Sequence, residues 1–230
     1  MFKKQLSVPE LLLIGINLIP VWGVWFDNWN AAEVFIVYCL ESIIIGFYNI
    51  IRMLLTTLVR KKEAWGDSKD NISIMPGYFF ILFFVLHYGF FIFVQLSIFF
   101  GIASMEKTLG VDGVFDFFIH FSKYMSRHSL LLLLCLFAGH GIYMLKDFVF
   151  TGYYKKASLN YLLFQPYGRI LVQQFTVITG SFFLLFGAGK LFITVFVFVK
   201  MWVETYIDID KYIRTATQKL QEARVTQNKN

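Results

Sequence analysis

The chain has 230 residues, of which 57% are hydrophobic, 20% aromatic and only 16% charged, with a formal net charge of +6. That is too much apolar side chain for the surface of a soluble protein of this size, so the composition excludes a water-soluble domain and predicts an α-helical membrane protein. The positive charge is explained by membrane topology and anionic headgroups without nucleic acid, and no Walker loop, dinucleotide fingerprint, nucleophile elbow, HEXXH or CXXC pattern is present.

A bilayer-crossing helix needs about 20 mostly apolar residues. Six apolar segments are predicted on that basis: Val8 to Trp25, Ala32 to Val59, Pro76 to Ala103, Leu130 to Phe150, Tyr167 to Phe186, and Leu191 to Tyr206. The first has the charge and apolar run of a signal peptide, but the run continues through Trp25 without a small-residue cleavage site, so a retained helix is expected. Between the third and fourth segments, "VDGVFDFFIHFSKYM" is too short and polar to span. Phe115, Phe118, Ile119 and Ser122 recur there at helical spacing, which predicts an amphipathic helix on the outer interface. The fold class expected is therefore all-α: a bundle of six transmembrane helices with an interfacial helix between helices 3 and 4. Residues 1–210 would form the transmembrane domain and 211–230 a polar cytoplasmic tail.

Lys3, Lys4, Arg60, Lys61, Lys62, Lys69, Lys155, Lys156 and Arg169 lie in alternate connections and Lys211, Arg214, Lys219 and Arg224 follow the last segment. Positive loops stay inside, so both termini are predicted to be cytoplasmic in the plasma membrane, with the lipid bilayer as the partner and a homo-oligomer left open. Cys39 and Cys135 fall inside apolar runs and are expected to pack as free thiols.

Polar residues at hydrocarbon depth are costly and face the bundle interior or mark function. With a rise of about 1.5 Å per residue, His140 lies near the middle of its helix, and Glu41, His87, Gln174 and Lys200 fall within about 10 Å of their helix midpoints. With Gln95 and Glu204 they form the candidate cluster: Glu41, His87, Gln95, His140, Gln174, Lys200 and Glu204. Asn17, Asn49, Arg52 and Gln173 are also polar at depth. Glu41 needs a partner from another helix, and Lys200, His87 and His140 are equal candidates. Two imidazoles and a carboxylate in a dry layer suit a divalent transition metal, with haem as the less suited alternative.

The stretches "YCLESIIIGFYNIIRML" (38 to 54), "HYGFFIFVQ" (87 to 95), "AGHGIYM" (138 to 144), "QPYGRILVQQFTVITG" (165 to 180) and "VKMWVETYID" (199 to 208) resemble a bacterial and archaeal family of six-helix membrane proteins catalogued as a domain of unknown function. The resemblance implies histidine at positions 95 and 174, and Asp then His at 204 and 208. This chain has Gln95, Gln174, Glu204 and Asp208 there, while Glu41, His87, His140 and Arg169 match.

Three readings follow. The first is metal-dependent chemistry on a lipid or other apolar substrate, with His87, His140 and Glu204 as ligands. The second is a proton or cation channel or transporter using the same residues, and the third is a structural subunit of a membrane complex. Arg169, at the start of the fifth segment, would contact a headgroup or other anion, or snorkel to the cytoplasm.

Overall fold

A computed structural model describes residues 8–65, 73–105, 110–168, 170, 174, 183 and 186–206. Helix α1 runs Val8–Phe26 and α2 runs Ala31–Val59. Asn30 caps α2, its side chain accepting from Ala32 N at 2.9 Å. Glu33 in the first turn suits the positive end of the helix dipole. Its carboxylate also accepts from Ser126 N (3.1 Å) and Ser129 Oγ (3.0 Å), which ties the start of α2 to the start of a later helix and makes the two run parallel.

The connection after α2 forms a short antiparallel hairpin, β1 (Lys62–Trp65) paired with β2 (Ser73–Pro76), where a plain loop was expected. Helix α3 (Gly77–Met105) follows directly. The expected interfacial helix is two short pieces, α4 (Val114–Ile119) and α5 (Phe121–Tyr124), broken at His120. Phe115 and Ile119 are fully outward, while Phe117 is buried against Phe100 and Tyr124. Asp116 fixes this corner by accepting from Tyr124 Oη (2.6 Å), Asp112 N (3.2 Å) and His120 Nδ1 (2.8 Å). Those bonds, Tyr124's first, hold the Asp116 carboxyl below its ordinary range, and the carboxylate pushes the Tyr124 hydroxyl up to about 12.

Helix α6 (Arg127–Met144) is capped by Ser126 and widens into a π-helical turn over Leu145–Phe150. A helix over residues 159–168, α7, starts eight residues before the predicted segment; residues 170, 174 and 183 are helical too. Ser158 caps it, and the cap is reinforced from the hairpin. The buried Glu63 carboxylate accepts from Ser158 Oγ and from Leu159 N at 2.6 Å, while Asn160 Nδ2 reaches Glu63 (3.3 Å) and Ala64 O (2.9 Å). An anion at a helix N-terminus satisfies amides that have no partner within the helix, so β1 and α7 hold each other. Helix α8 is Gly189–Tyr206.

Among the described residues, three helices are long and apolar enough to cross a membrane, over Ala31–Val59, Gly77–Gly101 and Arg127–Phe150. The apolar window of the first is 72% buried inside the protein, against 28% and 33% for the other two, so α2 is the central helix. It packs against α3, α6 and α8, and α1 packs against α6 and α8. Leu82, Phe90, Leu134 and other large apolar side chains face outward, and this surface belongs in hydrocarbon, not water. Cys39 is buried and Cys135 lies on the outward face; both are free.

Candidate functional site

Glu41 stands ten residues into α2, fully buried, on the face shared with Tyr38 one turn earlier. Its two oxygens are taken by different helices. His140 of α6 approaches Oε1 with Nε2 at 3.0 Å, and because a carboxylate only accepts, Nε2 carries the proton of this bond. Lys200 of α8 donates to Oε2. The ammonium also donates to Asn17 Oδ1 of α1 at 2.7 Å and lies over the Tyr38 ring, 4.7 Å from its centroid. Asn17 is fixed in turn, its Nδ2 donating to Leu13 O (2.8 Å) and its main-chain carbonyl accepting from Tyr38 Oη (3.0 Å). Three helices thus meet on one carboxylate, and α1 joins them through the ammonium.

The "GHG" sequence of α6 explains how His140 reaches it. A Cβ at Gly139 would fall 2.8 Å from Leu13 of α1, and one at Gly141 would fall 2.7 Å from Tyr48 Oη of α2. A methyl group on either side of the histidine would have to displace a side chain of α1 or α2, so the two glycines let α6 press against both neighbours. Charge balance explains why the arrangement is tolerated: carboxylate and ammonium cancel, and their remaining donors and acceptors are occupied by the imidazole, an amide and a π face.

His140 also lines a cavity of about 30 Å³ between α2, α6 and α7, with Asn49, Arg52, Tyr143 and Gln165. Asn49 Nδ2 donates to Leu162 O (2.9 Å) and points at Met53 Sδ (3.7 Å), while its buried Oδ1 has no partner among the described residues. Arg52 Nη1 donates to Gln165 Oε1 (3.3 Å), and the guanidinium stacks between Tyr143 and Phe148, 5.3 and 5.5 Å from their centroids.

The structure brings together Glu41, His140 and Lys200 and adds Asn17 and Tyr38. Sequence reasoning noted Asn17 as polar at depth without placing it here, and Tyr38 carries no sequence signal beyond its i, i+3 spacing from Glu41. His87 is elsewhere. It is exposed on α3, stacked on Phe83 (5.2 Å), with Nδ1 2.7 Å from Tyr167 Oη. Gln95 is buried beside the Cys39 thiol, and neither of its amide atoms has a nitrogen or oxygen partner among the described residues. Gln174 is half-buried with its Oε1 unpaired among those residues. Arg169, Gln173, Asp208, residues 211–230 and the Glu204 side chain lie outside the described residues. Among the described residues no three His, Cys, Asp or Glu side chains gather as metal ligands, because His87 and His140 each face a different partner.

Apolar outward-facing helices around a buried carboxylate–imidazole–ammonium network are compatible with a membrane-associated α-helical protein. The chain belongs to the Family of unknown function (DUF6498), whose family model matches residues 1–228. No curated protein and no solved structure matches it.

Proposed function

We propose that the protein carries protons through the bilayer, with Glu41, His140, Lys200 and Asn17 as the exchange site. In this reading the chain spans six times, with both termini in the cytoplasm, an orientation supported by the lysines and arginines of the alternate connections. The observation that carries the reading is the position of His140, bonded to the buried Glu41 on one side and lining a small cavity of mixed polar and apolar walls on the other.

The Glu41–Lys200 pair alone balances the charge, and the partner that completes the hydrogen bonding of Glu41 is an imidazole. The added imidazole has two ring nitrogens, one donating and one accepting, so it can take a proton on one and pass on the other. When His140 hands its proton to Glu41, the carboxylate loses its charge and its hold on Lys200. Asn17 Oδ1 and the Tyr38 ring keep the ammonium partnered in that state, so the site can alternate without stranding a bare charge.

The test is proton flux into proteoliposomes carrying an internal pH dye. Wild-type protein should dissipate an imposed pH gradient faster than empty vesicles, and Glu41→Gln, which keeps the shape but cannot take the proton, should be at least about tenfold slower. Wild-type vesicles no leakier than empty ones, or a Glu41→Gln variant as fast as wild type, would refute the reading.

A further inference from the structure

Apart from the Glu41 network, the end of α3 away from the hairpin carries a groove. We infer that it binds a membrane lipid whose headgroup ends in an ammonium group, with the Asp112 carboxylate and the rings of Phe93 and Phe115 as the cation's partners. Binding of this kind rests on the chain lying in a bilayer, not on proton transfer.

The groove has a volume of about 360 Å³ and opens outward between the last turns of α3 and the start of α4. Phe93, Ser97 and Gly101 recur at helical spacing and make the α3 wall, while residues 112–115 make the other. Phe93 and Phe115 meet across it, their ring centroids 6.1 Å apart, and the buried Phe100 backs it. Glycine keeps both walls low. A Cβ at Gly101 or at Gly113 would meet nothing within 4 Å, and Gly113 adopts a φ of 126°, which a side chain would resist.

Position along α3 decides which molecules meet this groove. Ser97 and Gly101 are 20 and 24 residues beyond Gly77, about 30 and 36 Å along the helix, against a hydrocarbon thickness of about 30 Å. The groove therefore lies where lipid chains give way to headgroups, in the leaflet opposite the hairpin. Toward the chains, Leu86 and Phe90 continue the exposed apolar surface of α3, and toward water stands Asp112. A phospholipid can lay a chain along that surface with its headgroup at the carboxylate.

Charge selects the headgroup. Both Asp116 oxygens are committed, one to Tyr124 Oη and Asp112 N, the other to His120 Nδ1. Lys123 of α5 lies over the Tyr124 ring, 5.1 Å from its centroid. Asp112 is held in place through its main-chain bond to Asp116, and its own carboxylate is exposed, with no hydrogen bond or ion pair among the described residues. Beside it the Phe93 and Phe115 side chains are 44% and 74% exposed. A carboxylate next to open aromatic rings attracts an ammonium group, and a headgroup that is only anionic brings no cation to either.

The test is native mass spectrometry of the full chain in mild detergent, mixed with phosphatidylethanolamine and phosphatidylglycerol of identical chains. Wild type should carry at least about threefold more of the ethanolamine lipid, the scale of one exposed cation–π contact, and Asp112→Asn, which keeps the main-chain bond, should bring the ratio to about one. Gly101→Leu fills the groove from a position with open space and with a better helix former; adducts of the ethanolamine lipid should fall several-fold at unchanged elution. Glycerophosphoethanolamine, the same headgroup without chains, should form no adduct. Equal adducts of the two lipids in wild type, or a preference that survives in Asp112→Asn, would overturn the headgroup assignment. Unchanged adducts in Gly101→Leu would overturn the groove, and glycerophosphoethanolamine adducts as abundant as the lipid's would overturn a lipid as the occupant. Vesicles that carry no protons would leave these results standing, and absent lipid preference would leave Glu41-dependent proton flux standing, so the two readings fail separately.

Discussion

Replacing Lys200 by Met tests the central network most directly. The Lys200 side chain is 11% exposed and the Glu41 side chain 2%, so bulk water does little to screen either. Without the ammonium, Glu41 keeps one described partner, the His140 Nε2–H, and truncating one member of a buried pair costs about 3–5 kcal/mol because the other charge is left uncompensated. Glu41→Gln strands the ammonium less, since Asn17 and the Tyr38 ring remain, and should cost about 1.5–3 kcal/mol, the worth of a hydrogen bond to a charged group. The double variant buries no charge. It should cost less than the sum of the two by about 2–3 kcal/mol, a coupling energy typical of groups in direct contact. Unfolding in mixed micelles of SDS and a mild detergent, followed by far-UV circular dichroism, would measure the cycle. A Lys200→Met cost below about 1 kcal/mol, or strictly additive effects, would mean that the pair is not a buried ion pair in the bilayer.

Two further outcomes are expected. Gly141→Ala would push a methyl group to 2.7 Å from Tyr48 Oη, whose ring is pinned by its bond to Phe137 O (3.0 Å); the overpacking should destabilise the protein by about 1–3 kcal/mol in the same unfolding assay, whereas a neutral result would place α6 further from α2. At the outer corner, the Tyr124 hydroxyl is pushed up to about 12 because it donates a hydrogen bond to the Asp116 carboxylate, so their bond supports the corner below the ordinary tyrosine range of about 10 and is lost as pH rises through about 12. On the acid side Asp116, held below the usual range of about 4, supports the corner above that range and loses its hold as pH falls through its lowered value. Ultraviolet titration should show one of the 12 tyrosines moving back toward about 10 in Asp116→Asn, and an unshifted tyrosinate curve would exclude the bond.

The helices were legible because bilayer chemistry writes length and apolarity directly into sequence. The first, second, third and last predicted segments end within a few residues of α1, α2, α3 and α8. The hairpin was not legible, since "KEAW" and "SIMP" are four residues each and owe their pairing to neighbours, including the Glu63 clamp on α7. The start of α7 was missed because Pro166 suits the first turn of a helix, whereas the helix begins before it, where Ser158 and Glu63 cap it. Depth along a helix could be computed from residue number, which is why Glu41, His140 and Lys200 were grouped. Facing could not. α3 is apolar on all sides, and in a lipid environment an apolar face is as suited to the outside as to the core, so nothing in "LHYGFFIFVQ" says that His87 points outward and Gln95 inward.

That failure of facing changes the meaning of Gln95. The resemblance implies histidine at position 95, and at the same depth it would have looked like a ligand lost from the Glu41 layer. Gln95 packs beside Cys39, and Cys39 and Glu41, two residues apart on α2, point about 200° from each other around the helix. An imidazole at 95 would therefore meet α2 on the side away from Glu41, His140 and Lys200. Glutamine there removes nothing from the ionisable site. Its effect falls on the α2–α3 interface, where a buried amide without a nitrogen or oxygen partner among the described residues stands beside a thiol. The ionisable network depends instead on α1, α6 and α8, so substitutions at Asn17, Gly139, Gly141 and Lys200 should disturb it more than any change at position 95.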